Sequence, residues 1–591
     1  MNIRQYLKFN KIIADGSFGT YYADKYKTND IPELANLMHP ERVEEIHLSY
    51  IESGAVLIRT NTFASNTVML NDNLDSIKKN ITLAIGLAKN AVNKSGKDIF
   101  IAGDIGSIPN DGTIDNETIE EEYYQLAKTF TEQNVNILTF ETFSDTERIL
   151  PAIRRIKSER DVFVIVQFSV NQFGYSNSGQ SASRLIRDAA GVKEIDAVGF
   201  NCGVGPAHMQ KILENINLNN GKFIVALPNS GYPKRIRNRI CFTDNADYFA
   251  LKVSEIAASG VDIIGGCCGT NPSFIQKLSD MAELKQSEKI LSNEVSHKEE
   301  KIIKKSGFIY NEDGTLKNKK LIAVELAPPA NADDEKILQA AHFLAQHNVD
   351  VLTFPDSPSG RTRTDSVLMA QKVKYSTGLD VMPHICCRDK NAIAMRSIFL
   401  GSHINDINNM LIITGDPIPT MARATVKSVF NFDSVGLMKI ASDMNEEVFT
   451  DKPLCYGGAI NQGRKRIELE IKRVNKKIAA GAEFFLTQPA FTKEDADRIR
   501  IIKEETGARI LCGIMPLISR KNALFMKNEI TGINVTDEIV SRYSENATKE
   551  EGEAVGIAIA REIMDYTKDF VDGYYFSFPF NRVYLLKEIL G

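Results

Sequence analysis

The alternation of short strand-like runs with longer helical stretches constrains the fold of this chain more than any other feature. The runs are rich in β-branched residues, and the stretches between them, such as Ser76–Ser95, Glu117–Gln133 and Asp247–Ser259, carry apolar residues at helical spacing. Eight repeated strand–helix units predict a closed (β/α)8 barrel. The eight runs of the first half are Lys11–Asp15, Ala55–Arg59, Asp98–Gly103, Asn136–Phe140, Val162–Phe168, Ile195–Phe200, Lys222–Leu227 and Val261–Gly265.

The same alternation restarts in the second half of the chain. Residues 286–305 are charged and carry no apolar face of useful length, so they predict a linker or an exposed helix between two domains. The predicted fold class is therefore α/β, with two (β/α)8 TIM barrels at residues 1–285 and 306–591. The runs of the second half are Leu321–Glu325, Asp350–Phe354, Asp380–His384, Met410–Thr414, Pro453–Gly457, Glu483–Thr487, Ala508–Ile514 and Gly573–Ser577.

Length and charge indicate a protein of two large domains that acts on small molecules. At 591 residues the chain exceeds what one hydrophobic core usually organises. A net charge of -5 and the lack of a long basic run give no electrostatic reason to expect nucleic acid or a membrane as partner. Met1–Asn10 lacks the apolar core of a signal peptide, so we expect a cytoplasmic protein whose 8 cysteines stay reduced. A homo-oligomer is left open.

Three cysteines lie just past predicted strands of the first half. Cys202 follows the run Ile195–Phe200, and the adjacent pair Cys267 and Cys268 follows Val261–Gly265. The carboxyl ends of the strands form the catalytic rim of such a barrel, and glycines around the pair let two neighbouring side chains face one ion. The pattern predicts a three-thiolate zinc site with an open fourth position; a set of buried free cysteines is the alternative.

Short sequence words along the first half resemble those of the zinc-dependent homocysteine S-methyltransferases. The likeness covers nearly the whole first barrel, and its most specific part is the cysteine pair with an upstream Asn-Cys. The words are Ala14-Asp15-Gly16-Ser17-Phe18-Gly19-Thr20, Thr60-Asn61-Thr62-Phe63, Glu141-Thr142-Phe143, Gly199-Phe200-Asn201-Cys202, Pro228-Asn229-Ser230-Gly231 and Gly265-Gly266-Cys267-Cys268-Gly269-Thr270. The resemblance implies that the three thiols bind zinc and that the thiol of homocysteine takes the remaining position, where the metal lowers its pKa and makes it nucleophilic.

The same resemblance implies how the amino-acid end of the substrate is held. Glu141 is expected to contact the ammonium group, the backbone around Asp15 and Gly16 the carboxylate, and Asn229 is expected near the metal. From the residues alone, Asp15 as a helix cap and Glu141 as the partner of a neighbouring Lys or Arg remain alternatives. The leading methyl donor is a sulfonium compound, S-methylmethionine or S-adenosylmethionine, because the Asp-x-His-x-x-Gly cobalamin signature is absent from this sequence. A methylated folate carried by a second protein is the competing donor.

Words of the second half resemble the flavin-containing methylenetetrahydrofolate reductases, in that family's order and across the whole second barrel. They are Ala323-Val324-Glu325-Leu326-Ala327-Pro328-Pro329, Pro383-His384-Ile385, Thr414-Gly415-Asp416, Ala480-Gly481-Ala482, Thr487-Gln488-Pro489-Ala490-Phe491, Gly513-Ile514-Met515-Pro516 and Phe580-Asn581-Arg582. The resemblance implies hydride transfer from NAD(P)H through FAD to methylenetetrahydrofolate, which yields 5-methyltetrahydrofolate.

Glu325 is the expected general acid, because apolar and proline neighbours raise the pKa of a carboxyl group; a surface ion pair is its alternative. The other matching positions are Asp416 beside the flavin, Gln488 at the folate, His384, Glu470 and Lys477 at the flavin, and Arg582 at the glutamate tail of the substrate. A helix-face or core role remains the alternative for His384, Glu470 and Lys477, and a role in ending the barrel for Arg582.

The second half departs from the reductase pattern at a few positions. Thr414 stands where some members carry arginine, which predicts a missing contact to a flavin phosphate. Cys386 and Cys387 lack the glycine setting of the first pair and are assigned to packing. The function expected overall is a bifunctional enzyme of one-carbon and methionine metabolism. Two alternatives stay open: only one barrel is catalytic and the other regulates or scaffolds, or the first barrel is a zinc-stabilised binding domain.

Overall fold

The chain folds as two compact units, residues 1–299 and 300–591. The computed structural model describes residues 2–110, 114–232, 234–236, 239–242, 245–286, 289, 305–418, 426–530 and 532–591. Most of the predicted linker, residues 286–305, lies outside this described part. Within the described ranges, no helix combines the length and the apolar character needed to span a bilayer.

The first unit is an eight-stranded parallel barrel, as the sequence predicts. Its sheet has the order β1-β10-β7-β6-β5-β4-β3-β2, and a parallel bridge between Ala14 and Leu57 brings the two edges together. An antiparallel hairpin, β8 and β9, is inserted before the last barrel strand. The strands are β1 Ile12–Ile13, β2 Leu57–Arg59, β3 Phe100–Gly106, β4 Ile137–Phe143, β5 Phe163–Phe168, β6 Ala197–Asn201, β7 Phe223–Leu227, β8 Lys234–Ile236, β9 Arg239–Cys241 and β10 Ile263–Ile264.

Helices connect these strands, and local capping sets where the long ones begin. The side chain of Asn73 accepts from the Ser76 amide, and that of Asp115 from the Thr118 amide, so each satisfies a backbone N–H that the helix leaves free. A 3-10 turn covers Pro32–Leu34. The helices are α1 Ile3–Phe9, α2 Gly19–Tyr26, α3 Ala35–Met38, α4 Pro40–Glu52, α5 Thr67–Leu70, α6 Leu74–Ser95, α7 Asn116–Glu132, α8 Leu150–Glu159, α9 Ala182–Ala190, α10 Pro206–Glu214, α11 Ala246–Ala258 and α12 Pro272–Met281.

The second unit is a closed parallel barrel whose strands follow one another in chain order. The predicted α/β class with two (β/α)8 barrels is therefore confirmed. The strands are β11 Leu321–Glu325, β12 Val351–Phe354, β13 Val381–Cys386, β14 Asn409–Ile413, β15 Cys455–Ile460, β16 Phe484–Pro489, β17 Ile510–Ile514 and β18 Gly573–Ser577. The helices are α13 Glu335–Leu344, α14 Ser366–Thr377, α15 Ala392–Ile404, α16 Ser434–Glu447, α17 Ile467–Ala479, α18 Lys493–Thr506, α19 Arg520–Glu529, α20 Asp537–Ser541, α21 Lys549–Thr567 and α22 Leu585–Leu590.

Each barrel is filled from its N-terminal end by the segment that precedes the first strand. In the first unit, Ile3 and Leu7 of α1 pack into one cluster with the inward-facing apolar residues of the strands. Phe308 and Ile309 do the same in the second unit. Because apolar side chains occupy this end, polar groups at the carboxyl ends of the strands are the ones placed for chemistry.

Candidate active sites

The three predicted zinc ligands converge at the carboxyl ends of β6 and β10. The sulfur atoms of Cys202, Cys267 and Cys268 all lie within 4.8 Å of one another, and Cys202 Sγ is 3.7 Å from Cys268 Sγ. Sulfurs bound tetrahedrally to zinc at about 2.3 Å lie about 3.8 Å apart. The Cys202 amide donates to Leu227 O at 3.1 Å and the Cys267 amide to Pro228 O at 2.8 Å, so the end of β7 fixes both turns. The described residues contain no second cluster of this kind.

Backbone constraint lets these thiols face one point. Cys202 has a φ of 57°, a left-handed conformation that few non-glycine residues adopt and that persists only where the surroundings enforce it. On the other side, a Cβ added to Gly266 would lie 2.3 Å from Thr270 Oγ1, and one added to Gly269 would lie 2.2 Å from the Phe242 ring. The glycines flanking the cysteine pair are therefore needed for close approach.

The charge of the thiol cluster depends on shared protons. Hydrogen bonds from Cys267, and to a smaller extent from Cys268, lower the pKa of Cys202. The hydrogen bonds that Cys267 and Cys268 form with Cys202 raise the pKa of these two thiols. The cluster alone thus holds one thiolate more readily than three. A metal ion that binds all three sulfurs has to displace the remaining protons, which couples metal affinity to pH.

The side chain of Asn229 lies against Cys202 and carries an oxygen without a hydrogen-bond partner in the described part of the chain. Its side chain is buried, its Oδ1 has no hydrogen-bond partner among the described residues, and its hydrogen bond to Cys202 lowers the pKa of that thiol. A buried polar oxygen without a partner is unfavourable unless a ligand meets it. Three soft thiolates with one neutral oxygen donor nearby fit a tetrahedral zinc that has one exchangeable position.

A buried arginine joins the two carboxylates that were assigned to the substrate. Arg59 Nε donates to Asp15 Oδ1 at 2.8 Å, Nη1 to Glu141 Oε2 at 2.6 Å, and Nη2 to the carbonyls of Gly16 at 2.8 Å and Gly266 at 3.0 Å. The alternative that Asp15 caps a helix is wrong, because α2 begins after Phe18 without a side-chain cap. The alternative that Glu141 pairs with an arginine is observed, and its contact to a substrate ammonium stays a prediction.

Asp104 adds a third carboxyl group to this cluster. It is buried in β3, one of its oxygens lacks a hydrogen-bond partner in the described structure, and it shares a hydrogen bond with Glu141. Burial, reinforced by the charge of Glu141, holds the pKa of Asp104 well above its usual range despite the opposing effect of Arg59. Asp104 therefore keeps its proton to higher pH than an ordinary aspartate does.

Replacing Asp104 with asparagine is expected to raise the free energy of unfolding relative to the wild type by an amount that grows as pH rises above the ordinary pKa of an aspartate. A carboxyl group with a raised folded-state pKa contributes stability below its unfolded pKa, and this is lost as pH rises through the folded pKa. The amide does not titrate. Urea unfolding of the wild type, Asp104→Asn and the exposed-site control Asp72→Asn across pH 5 to 9 measures the difference. A difference that is independent of pH contradicts the assignment.

Glu325 ends β11 at the mouth of the second barrel. Its Oε2 accepts from the Tyr575 hydroxyl and its Oε1 from Ser577 Oγ at 3.0 Å, so both partners come from the neighbouring strand β18. Burial raises the pKa of Glu325, and the two hydroxyl groups oppose the shift. Among the described residues it has no ion-pair partner, so the surface ion pair considered from the sequence is not found.

Asp416 lies on an exposed loop after β14 that is tied to its neighbours by Arg388. Asp416 Oδ2 accepts from the Ser359 amide at 2.7 Å, and Arg388 Nη1 donates to the carbonyls of Ser357 and Asp416, both at 3.2 Å. Arg388 itself is buried and pairs with Asp389 at 2.7 Å. Three loops at the barrel mouth, after β12, β13 and β14, are therefore held together by one guanidinium group.

Gln488 and His384 offer unused hydrogen-bonding groups. The side-chain amide of Gln488, in β16, is half-buried and makes no hydrogen bond within the described part of the chain. His384, in β13, is buried, its Nε2 has no partner there, and burial lowers its pKa to about 3. Neutral imidazole and a primary amide can each donate and accept, as ligand contacts require.

Glu470, Lys477 and Arg582 are held by the protein itself. Glu470 pairs with Arg464 at 2.8 Å, and Lys477 Nζ donates to the carbonyl of Ala459 at 2.6 Å, which places both α17 side chains beside the end of β15. Burial lowers the pKa of Lys477. Arg582 forms an ion pair with Glu553 of α21. Their assignments to flavin or substrate stay predictions.

Comparison with known families separates the two barrels. Residues 12–282 match the family of homocysteine S-methyltransferases, and residues 311–581 match methylenetetrahydrofolate reductases. The chain therefore contains one domain of each family. It carries a methyltransferase domain followed by a reductase domain, in agreement with the predicted bifunctional fusion.

Solved structures similar to this chain include forms of the homocysteine methyltransferase MmuM from Escherichia coli. The metallated form is 18% identical and the match covers 47% of this chain and 99% of that protein, with a TM-score of 0.40. The apo form is 20% identical, with 46% and 96% covered and a TM-score of 0.37.

Sequence reasoning missed the residues that position the assigned groups. Arg59 directly precedes a recognised word, and an arginine at the end of an apolar run was the available signal. In the methyltransferase domain, Asn201 Oδ1 accepts from the Thr142 amide and Nδ2 donates to Thr142 Oγ1, both at 2.8 Å, which fixes the turn after Glu141. In the reductase domain, neither Arg388 nor Tyr575 carried a signal of its own.

Proposed function

We propose that the chain is a bifunctional enzyme that methylates homocysteine at a zinc site and reduces 5,10-methylenetetrahydrofolate at a flavin site. The first activity is supported above all by three thiols that converge beside a cluster of buried carboxylates within a homocysteine S-methyltransferase domain. The second is supported by Glu325, a carboxyl group with a raised pKa at the mouth of a methylenetetrahydrofolate reductase barrel.

In the methyltransferase domain, Cys202, Cys267 and Cys268 would hold the zinc ion. Bound zinc acidifies the thiol of homocysteine, so that a thiolate is present at neutral pH. The protein holds the amino-acid end: Glu141 accepts from the ammonium group, and the backbone at Asp15 and Gly16 lies beside the carboxylate. With both ends fixed, the sulfur is oriented for in-line attack on a methyl group, and positioning lowers the barrier.

The methyl donor we favour is a sulfonium compound, S-methylmethionine or S-adenosylmethionine. The alternative donor is methyltetrahydrofolate, the product proposed for the reductase domain. The fusion of the two domains in one chain supports this alternative. The deciding experiment is anaerobic incubation of the purified chain with homocysteine and each donor in turn, with methionine as the readout. Absence of methionine with all three donors refutes the methyltransferase proposal.

In the reductase domain, Glu325 would protonate the folate nitrogen before its imidazolidine ring opens. A bound flavin supplies hydride transfer, with NADH or NADPH as reductant. Asp416 would place negative charge beside the flavin and the cationic form of the substrate, and the free amide of Gln488 would meet the pterin edge. Flavin absorbance of the purified chain, bleached by NADH or NADPH and restored by methylenetetrahydrofolate, tests this activity.

The residues proposed to hold FAD are His384, Asp416, Glu470 and Lys477. The unpaired Nε2 of the buried His384 supports the assignment, because such an atom is satisfied when a ligand acceptor or donor reaches it. Lys477, whose amine now meets a backbone carbonyl, retains donors for a phosphate oxygen. Arg582 would reach the glutamate tail of folate by exchanging its partner Glu553 for a substrate carboxylate.

Thr414→Arg is expected to bind FAD about 10-fold more tightly than the wild type. Thr414 is exposed directly before the Gly415-Asp416 turn, and charge-assisted hydrogen bonds to phosphate contribute about 1.5 to 3 kcal/mol, part of which is lost in ordering the new side chain. Flavin fluorescence during titration of the apoprotein measures the affinity. Thr377→Arg, which adds the same charge at the end of α14 that precedes β13, is the control and is expected to bind FAD like the wild type.

The alternative in which one barrel only regulates or scaffolds makes a distinct prediction. Purified protein then contains either zinc or flavin, and one of the two assays above gives no turnover at any substrate concentration. A zinc-stabilised binding domain is recognised in a different way, since homocysteine leaves the metal coordination unchanged in X-ray absorption spectra.

A further inference from the structure

Arg59 has an unusual place in the methyltransferase site. It is one of two buried arginines among the described residues, and from the end of β2 it contacts residues at the ends of β1, β4 and β10. Its side chain and that of Glu141 each keep 8% of their surface exposed, against 3% for Asp15. Arg59 and Glu141 are therefore more accessible to solvent or a ligand than Asp15 is.

The hydrogen-bonding capacity of Arg59 is not exhausted. A guanidinium group carries five N–H donors. Nε donates to Asp15, both hydrogens of Nη2 are used by the carbonyls of Gly16 and Gly266, and Nη1 donates to Glu141. One N–H of Nη1 is left without an acceptor among the described residues. The free N–H and the N–H that binds Glu141 both belong to Nη1, so a cationic donor lies directly beside a carboxylate.

This arrangement complements an α-amino acid. The ammonium and carboxylate groups of such a ligand are also adjacent, with charges opposite to those of Glu141 and Arg59. The contact of Nη2 with Gly16 places the guanidinium group against the segment beside which the substrate carboxylate is proposed to lie, and its contact with Gly266 places it next to the zinc ligands. We propose that Arg59 makes the thiol site selective for α-amino acids, with its remaining Nη1–H donating to the α-carboxylate while Glu141 accepts from the ammonium group.

The inference rests on the proposed methyltransferase function and is tested with three thiols that differ at one end. Homocysteine carries both groups, 3-mercaptopropylamine lacks the carboxylate, and 4-mercaptobutyrate lacks the ammonium. In Arg59→Met, kcat/KM for homocysteine is expected to fall about 10- to 100-fold, mainly through KM, while that for 3-mercaptopropylamine stays within about 3-fold of the wild type. Arg59→Lys keeps the positive charge but lacks the planar set of guanidinium donors, so an intermediate loss of kcat/KM for homocysteine is expected. This variant replaces Arg59→Met in the test if the methionine variant does not fold.

Glu141→Gln provides the reciprocal measurement. It removes the acceptor for the ammonium group, so homocysteine and 3-mercaptopropylamine are expected to lose efficiency while 4-mercaptobutyrate does not. Arg4→Met is the matched control, because Arg4 is an ion-paired arginine at the opposite end of the barrel and its loss is expected to spare all three thiols.

Equal losses for all three thiols in the Arg59 variants, with zinc content unchanged, overturn the selectivity role and leave the methyltransferase proposal standing. Methylation of none of the thiols by the wild type, with either sulfonium donor or methyltetrahydrofolate, refutes the methyltransferase proposal and this inference with it. Preserved use of 3-mercaptopropylamine together with a selective loss of homocysteine supports both.

Discussion

Replacing Cys202 with serine is expected to abolish methionine formation and to strip zinc from the methyltransferase domain. A hydroxyl group is a poor ligand at neutral pH because it stays protonated, so two thiolates remain where three were provided. Loss of an outer-shell partner alone typically costs about 10- to 100-fold in metal affinity, and loss of a ligand should cost more than about 100-fold. Zinc content after dialysis, measured by atomic absorption, and methionine yield are the two readouts.

The control for this prediction is Cys387→Ser in the reductase domain. Cys386 and Cys387 also form an adjacent pair, but both are buried, and among the described residues they belong to no group of three possible metal ligands. The control should keep its zinc. Full zinc content and normal methylation in Cys202→Ser would show that the three sulfurs do not form the catalytic metal site.

The fold was predictable because it depends on local periodicity. Every predicted strand is present, and Leu321–Glu325 and Gly573–Ser577 have the predicted bounds. A parallel strand that is buried on both faces has a nearly continuous hydrophobic sequence, so it can be recognised without knowing which residues it contacts. The hairpin formed by β8 and β9 was not predicted. Its strands, Lys234–Ile236 and Arg239–Cys241, are too short and too polar to show the alternation of apolar and polar residues that marks a strand.

The candidate sites were predictable only in part, because some of their contacts join long side chains to residues on strands that are distant in sequence. The positions of Glu141, Asp15 and Glu325 at strand ends follow from chain order. The reach of Arg59 from β2 to β1, β4 and the turn after β10 does not, since those strands meet only when the barrel closes. The same holds for Tyr575, whose hydroxyl reaches Glu325 although 250 residues separate the two in sequence.

Replacing Glu325 with glutamine is expected to lower the turnover of methylenetetrahydrofolate by about 100- to 10,000-fold, the range that general acid catalysis contributes. The amide keeps the size of the carboxyl group and can still bind both hydroxyl groups if one of them turns to accept from its NH2, but it cannot give a proton. Flavin content and the rate of flavin reduction by NAD(P)H should stay near those of the wild type, because neither step uses this proton. Stopped-flow absorbance with each substrate separates the two half-reactions.

The pH dependence gives a second readout of the same group. Since burial raises the pKa of Glu325, the acid form persists above the usual range of a glutamate, and folate reduction should slow as pH rises through that raised pKa. Tyr575→Phe removes a hydrogen bond that lowers the pKa of Glu325, so its pH limb is expected to move to higher pH. Glu325→Gln should lack the limb altogether.

The matched control is Glu483→Gln, because the chain repeats the same local arrangement at the other end of the barrel. Glu483 precedes β16, accepts from the Tyr310 hydroxyl and pairs with Lys305 at 2.8 Å. It therefore shares the carboxyl–phenol contact of Glu325 but faces the apolar N-terminal filling and not the catalytic rim. Comparable losses of folate reduction in both variants would assign the effect of Glu325→Gln to stability. A loss confined to Glu325→Gln, with the pH limb removed, assigns the proton to this residue.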